Sequence, residues 1–148
     1  MVPTPKFPDS PNLRNLGLLW LPCDANKKID FFFVRPYQKL ESLSLKLFTN
    51  QVSNFDFLVD LPYLKKLDLS FIESCGLKRR FKPSLPNLTK LEKFALYNDE
   101  PKFFIIHNVK SFVPQNQNLQ SLELIRSIQD IADILEDASL TLTAIENL

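Results

Sequence analysis

Leu40-Glu41-Ser42-Leu43-Ser44-Leu45 is the stretch that decides the fold. Its apolar residues stand at the first, fourth and sixth places, and its second half alternates apolar with polar. A period of two marks a short strand with one buried face. Leu43 and Leu45 are therefore expected to enter a core, while Ser42, Ser44 and Lys46 point away from it. One such stretch arises by chance in many chains, so its weight depends on recurrence.

Working outward, the order L-x-x-L-x-L returns four more times, with Phe once in place of Leu. On the N-terminal side it reads Leu13-Arg14-Asn15-Leu16-Gly17-Leu18. On the C-terminal side it reads Leu64-Lys65-Lys66-Leu67-Asp68-Leu69, then Leu91-Glu92-Lys93-Phe94-Ala95-Leu96, then Leu119-Gln120-Ser121-Leu122-Glu123-Leu124. First positions are spaced by 27 (13 to 40), 24 (40 to 64), 27 (64 to 91) and 28 residues (91 to 119). Leu85-Pro86-Asn87-Leu88 offers a rival start three residues before Leu91. It would place Lys93 where the third apolar residue belongs, so Leu91 is the preferred anchor. The residues ahead of the motifs repeat as well: Ser10-Pro11-Asn12-Leu13, Leu61-Pro62-Tyr63-Leu64, Asn116-Gln117-Asn118-Leu119 and Ile145-Glu146-Asn147-Leu148. The expected organisation is a Pro-rich lead-in over residues 1–12, then about five repeats over residues 13–148. These start near 13, 40, 64, 91 and 119, with a sixth cut off at 148.

Copies at this spacing resemble the leucine-rich repeat family, in a degenerate intracellular form, and the resemblance covers nearly the whole chain. It implies an α/β solenoid, in which short parallel strands line the concave face of an arc and helical or irregular segments return along the convex side. No single unit can bury its Leu face alone, so stability in such arrays is largely a property of neighbours. One departure stands out. The family's Asn or Cys after the motif is replaced here by Leu21, Phe48, Ile72, Asp99 and Ser127. The departure implies looser turns, packed by Phe, of which the chain has 13.

The return segments carry weaker signals. Ser127 followed by Asp130 is an N-terminal helix signature, and Ile128, Ile131, Leu135 and Ala138 share one helical face, with Ile134 beside them. A helix over residues 127–140 is expected. Ser53 with Asp56 opens a shorter version, with Phe55, Leu58 and Val59 facing inward. Residues 27–34 and 101–113 are apolar without a period and read as irregular.

Composition removes several functions. Eighteen basic and 17 acidic residues leave a net charge of +1, which argues against a nucleic-acid partner held by phosphate neutralisation. Two Gly residues leave little material for a phosphate-cradling loop. The 11 Pro residues supply much of the punctuation instead. Met1-Val2-Pro3-Thr4-Pro5-Lys6 has no apolar signal region. Phe31-Phe32-Phe33-Val34 is far too short to span a bilayer. A cytoplasmic or nuclear protein without a membrane partner is expected. Cys23 and Cys75 form no CxxC pair and read as reduced thiols. No cap precedes Leu13, and the chain stops on what reads as another first position. A fragment of a longer array, able to self-associate through uncapped repeat ends, is the expectation.

No catalytic, cofactor or metal site emerges. His107 is the sole His and lacks partners at ligand spacing. Cys75 precedes Lys78-Arg79-Arg80, but a semi-buried structural thiol is the preferred reading. Lys78-Arg79-Arg80-Phe81-Lys82 reads as a solvated loop rather than a phosphate contact. The sequon Asn87-Leu88-Thr89 reads as chance without a secretory signal. Phe31–Phe33 and Phe103–Phe104 read as core filling.

The outward strand positions are the best candidate site, because core packing does not constrain them. They comprise Asn15, Gly17 and Leu19; Ser42, Ser44 and Lys46; Lys66, Asp68 and Ser70; Lys93, Ala95 and Tyr97; and Ser121, Glu123 and Ile125. Partner binding is assigned among these to Ser42, Ser44, Lys46, Lys66, Asp68, Ser70, Lys93, Tyr97, Ser121 and Glu123. Tyr97, expected to be flanked by Lys66, Lys93 and Glu123, is the candidate anchor, since aromatic residues dominate binding hot spots. The expected function is non-catalytic: a protein–protein interaction module that takes a partner protein on its concave face. The resemblance allows a more specific form, the substrate-recognition part of an F-box-type ubiquitin ligase adaptor. A truncated fragment with no independent function is the remaining expectation.

Overall fold

The computed structural model describes residues 10–19, 31–48, 54–72, 84–98, 115–125 and 141–143. They build one sheet of six parallel strands in the order β1-β2-β3-β4-β5-β6. The strands are β1 (Asn15–Leu19), β2 (Ser42–Phe48), β3 (Lys66–Ile72), β4 (Lys93–Asn98), β5 (Ser121–Ile125) and β6 (Thr141–Thr143). Space follows sequence, so each strand pairs with the one before it and the one after it. Parallel neighbours cannot be joined by a tight hairpin. Each strand therefore starts at the same end of the sheet as the one before it.

Register follows the motif. Leu16 pairs with Leu43, Leu43 with Leu67, Leu67 with Phe94, Phe94 with Leu122 and Leu122 with Leu142. Leu18, Leu45, Leu69, Leu96 and Leu124 make a second aligned row. Leu91 precedes Lys93 by the two residues that separate Leu64 from Lys66, and those lysines are register partners. The sixth strand begins at Thr141, opposite Ser121, ahead of Leu148, where the sequence pattern alone puts a further first position.

Leu43, Leu45, Leu47, Leu67, Phe71 and Leu91 are completely or almost completely buried, as are Leu69, Phe94 and Leu122. Each buried side chain of this size contributes roughly 1.5–3 kcal/mol relative to exposure. The aligned rows are therefore the main source of cohesion between strands. Leu13, Leu16 and Leu18 of the first motif are only partly buried against this core.

Strands β1 to β5 are entered through the same backbone device. The amide of the motif's first residue donates to the carbonyl three residues earlier, in Leu13 to Ser10, Leu40 to Tyr37, Leu64 to Leu61, Leu91 to Leu88 and Leu119 to Asn116, at 2.9–3.2 Å. One carbonyl of the preceding motif then accepts two successive amides. Arg14 O takes those of Glu41 and Ser42, Glu41 O those of Lys65 and Lys66, Lys65 O those of Glu92 and Lys93, and Glu92 O those of Gln120 and Ser121. These bonds involve backbone atoms only, so the side chains at the second motif position remain free to vary.

Two short 3-10 helices lie in the described connections, η1 (Phe31–Val34) and η2 (Asp56–Asp60). They refine the expectation for the second return segment. At three residues per turn, Phe55, Leu58 and Leu61 share a face, and all three are buried, as is Phe57. Val59 does not face inward: it is 58% exposed. The α-helical spacing that grouped Val59 with Phe55 does not hold in the tighter coil. Phe55 precedes η2 without a side-chain cap, and the Asp56 amide donates to Asn54 Oδ1 at 3.4 Å. In η1, Phe31 is buried and Phe33 packs against the core, while Phe32 turns outward. Phe31 stacks at a tilt on Phe57, 5.1 Å between centroids, which joins the two 3-10 helices. The Arg35 guanidinium lies 3.6 Å above the Phe32 ring and also pairs with Asp60 of η2. The expected helix over 127–140 lies outside the described residues, as do Cys23, Cys75, His107, the 78–82 basic cluster and the 101–113 segment.

Candidate functional site

Alternation within the strands separates two sets of side chains. Along β3 the burial sequence is exposed, buried, half-buried, buried, half-buried, buried, half-buried. The buried members are Leu67, Leu69 and Phe71, and the others lie on the opposite face of the sheet. Because the strands are in register, the outward residues form three rows running across the strands.

The row at strand entry carries Asn15, Ser42, Lys66, Lys93 and Ser121. The middle row carries Gly17, Ser44, Asp68, Ala95 and Glu123, and the third carries Leu19, Lys46, Ser70 and Tyr97, with Ile125 the register partner of Tyr97 on β5. All ten residues assigned from sequence to partner binding fall in these rows. Ser44, Lys46, Lys66 and Lys93 are exposed, and Ser42, Asp68, Ser70, Tyr97, Ser121 and Glu123 are half-buried. Across β2 to β5 the strand-entry row is cationic in its centre and hydroxylic at its sides. The middle row holds two carboxylates separated by the small side chain of Ala95.

The neighbours of Tyr97 differ from the sequence expectation. Its register partners are Ser70 and Ile125, with Ala95 two residues before it on the same face. Lys66 and Lys93 belong to the strand-entry row. Lys93 is four residues from Tyr97 along one strand, about 13 Å at the usual rise. Of the three expected flanking groups only Glu123 comes near, on the diagonal. Reading along the sequence groups residues by strand, whereas proximity on a sheet is set equally by register.

Electrostatics on this face are uneven. Lys66 Nζ lies 3.4 Å from Asp68 Oδ2 on the same strand and the same side. Lys93 and Glu123 have no ion pair among the described residues.

Sequence reading missed a second ordered row, made by the side chains at the second motif position: Arg14, Glu41, Lys65, Glu92 and Gln120. Charge alternates along it from strand to strand, and Arg14 Nη1 meets Glu41 Oε1 at 2.7 Å. The alternation of sign from Arg14 to Glu92, at intervals of 24 or 27 residues, is a signal present in the sequence. The turns one residue ahead of the motifs are also linked. Lys39 Nζ donates to Asn12 Oδ1 at 2.7 Å, Lys90 Nζ lies 5.0 Å from the Tyr63 ring centroid, and Asn118 Nδ2 donates to Thr89 O. An open cleft lies between the end of η2 and residues 87–90, walled by Leu58, Val59, Leu61, Pro62 and Leu88. It shares no residue with the outward strand face. Within the sequon, Asn87 and Thr89 are exposed while Leu88 is buried.

Among the described residues, no helix is long and apolar enough to cross a membrane, and no group of three or more His, Cys, Asp or Glu could hold a metal ion. The sequence matches no family model, and neither a curated protein nor a solved structure matches the chain.

Proposed function

We propose that the chain is a leucine-rich repeat solenoid that works as a non-catalytic interaction module, taking a partner protein on the outward face of its strands. The reading makes that face concave and each strand with its return segment one repeat. The observation that carries it is the division of labour in the register. The two inward rows that begin at Leu16 and Leu18 hold Leu or Phe across β1 to β4, while the outward rows there hold Asn, Gly, Leu, Ser, Lys, Asp, Ala and Tyr in no fixed order. Fold stability needs the first set and leaves the second open to other demands. A row structure also supplies what a protein partner requires: side chains of differing chemistry, fixed in position on a sheet, with an aromatic residue, Tyr97, in register between Ser70 and Ile125.

The test is a site-specific photocrosslinking scan of the whole chain in extract. A photoreactive residue is placed singly at Ser44, Ser70 and Tyr97 on the outward face, and at Gln38 and Val59 away from it. The expected result is one protein crosslinked from the face positions, absent from the other two, and lost when Tyr97→Ala is combined with Ser44→Arg. Crosslinks distributed equally over both sets of positions would overturn the reading.

A further inference from the structure

We infer that the strand-entry row receives an acidic segment of the partner protein, with carboxylates seated on Lys66 and Lys93. This rests on the interaction-module reading and assigns its partner a chemistry. The two lysines are register partners on adjacent strands, whose backbones in a parallel sheet are about 4.8 Å apart. Like charges set side by side on a sheet oppose its formation. The fold gains nothing evident from them, since both are exposed and neither fills the core. Asp68 partly offsets Lys66, and no ion pair among the described residues offsets Lys93.

The flanks extend the same chemistry. Ser42 pairs in register with Lys66, and Ser121 with Lys93. The order Ser42, Lys66, Lys93, Ser121 thus presents hydroxyl, ammonium, ammonium and hydroxyl donors across four neighbouring strands. All four can donate to carboxylate oxygens. The middle row sets the limit on the other side. Asp68 and Glu123 repel an anion placed over them, so an acidic segment is confined to the strand-entry edge, running across the strands. The second motif position lies beyond that edge with Glu41 and Glu92 on either side of Lys65, so the cationic character is confined to the strand-entry row itself.

The test uses the whole chain and a fluorescent peptide of alternating Glu and Ser, followed by anisotropy at low salt. A Gln-Ser peptide of the same length serves as the neutral comparison. The expected result is preference for the acidic peptide, weakening as salt rises. Lys66→Gln with Lys93→Gln should weaken binding about fivefold or more. Lys39→Gln with Lys90→Gln, which removes the same charge from the turns, should weaken it less than twofold. Glu123→Gln should tighten it. Circular dichroism of each variant verifies folding. Equal binding of both peptides, or equal losses in the two lysine doubles, would overturn the inference. If the crosslinking scan still captures a partner from Ser44, Ser70 and Tyr97 in that case, the interaction-module reading stands and only the acidic chemistry falls.

Discussion

Asn116 Oδ1 accepts the Leu88 amide at 2.8 Å, inside the core and across 28 residues of chain. Asn116 is only 2% exposed and is the one buried polar residue among those described. Its own carbonyl closes the turn into Leu119, so a single residue shapes one turn and holds the one before it. Replacing it with Leu keeps the branching of the side chain and adds apolar character, yet strands a buried donor. Asn116→Leu is expected to cost about 1–3 kcal/mol, read as a lower urea midpoint at unchanged slope. No loss of stability would mean that the Leu88 amide finds water or another acceptor.

The tight coil of η2 makes adjacent residues behave in opposite ways. Leu58 is fully buried and Val59 is 58% exposed. Leu58→Ala should cost about 2–5 kcal/mol through the cavity it leaves. Val59→Thr should stay within about 0.5 kcal/mol. Comparable losses at both positions, measured by denaturant titration, would mean that the segment coils as an α-helix instead.

Gly17 occupies the outward middle row of β1, and a Cβ built there meets nothing within 4 Å. Its lack of a side chain therefore serves no close approach on this face, and it leaves the unfolded chain more freedom than any other residue would. Gly17→Ala is expected to stabilise by about 0.4–1 kcal/mol, visible as a higher melting temperature. A lower one would mean that this backbone position needs the freedom of glycine.

Arg35 joins the two 3-10 helices from the surface, through Asp60 and the Phe32 ring. Both partners in the ion pair are more than one-third exposed. A double-mutant cycle with Arg35→Met and Asp60→Asn should return a coupling under about 1 kcal/mol. The coupling should shrink further in high salt. A larger, salt-insensitive value would assign the pair a central part in fixing η1 against η2.

The parts of this fold that could be read from sequence are those governed by alternation within a few residues. Leu43 and Leu45 against Ser42 and Ser44 give the strand and its faces directly, and recurrence at Leu13, Leu64, Leu91 and Leu119 gives its neighbours. Legibility fades where two distant segments must be compared in space. Sequence pattern groups Tyr97 with Lys66 and Lys93, although register seats it between Ser70 and Ile125. A helical period of 3.6 puts Val59 inside, whereas the period of 3.0 in this coil turns it out. Asn116 belongs to the segment repeated ahead of the motifs, and only the buried Leu88 amide, whose hydrogen bond it accepts, explains why an amide side chain sits there. The charge alternation of Arg14, Glu41, Lys65 and Glu92 lay in view, but it acquires meaning only once those residues are known to be adjacent. The position of β6 at Thr141–Thr143 carries no Leu-based motif of the kind that marks the other strands.

The register has a consequence for how the chain assembles. Pairing each strand with the next closes a loop of 27, 24, 27, 28 or 20 residues, from Asn15–Ser42, Ser42–Lys66, Lys66–Lys93, Lys93–Ser121 and Ser121–Thr141. The entropy of closing a flexible loop rises only with the logarithm of its length, so these closures differ by about 0.3 kcal/mol. No pairing waits on the meeting of remote ends, and the cost of joining a further strand does not grow with the number already joined. Ordering can therefore begin at any adjacent pair and spread both ways, at a rate set by local closure rather than by total chain length.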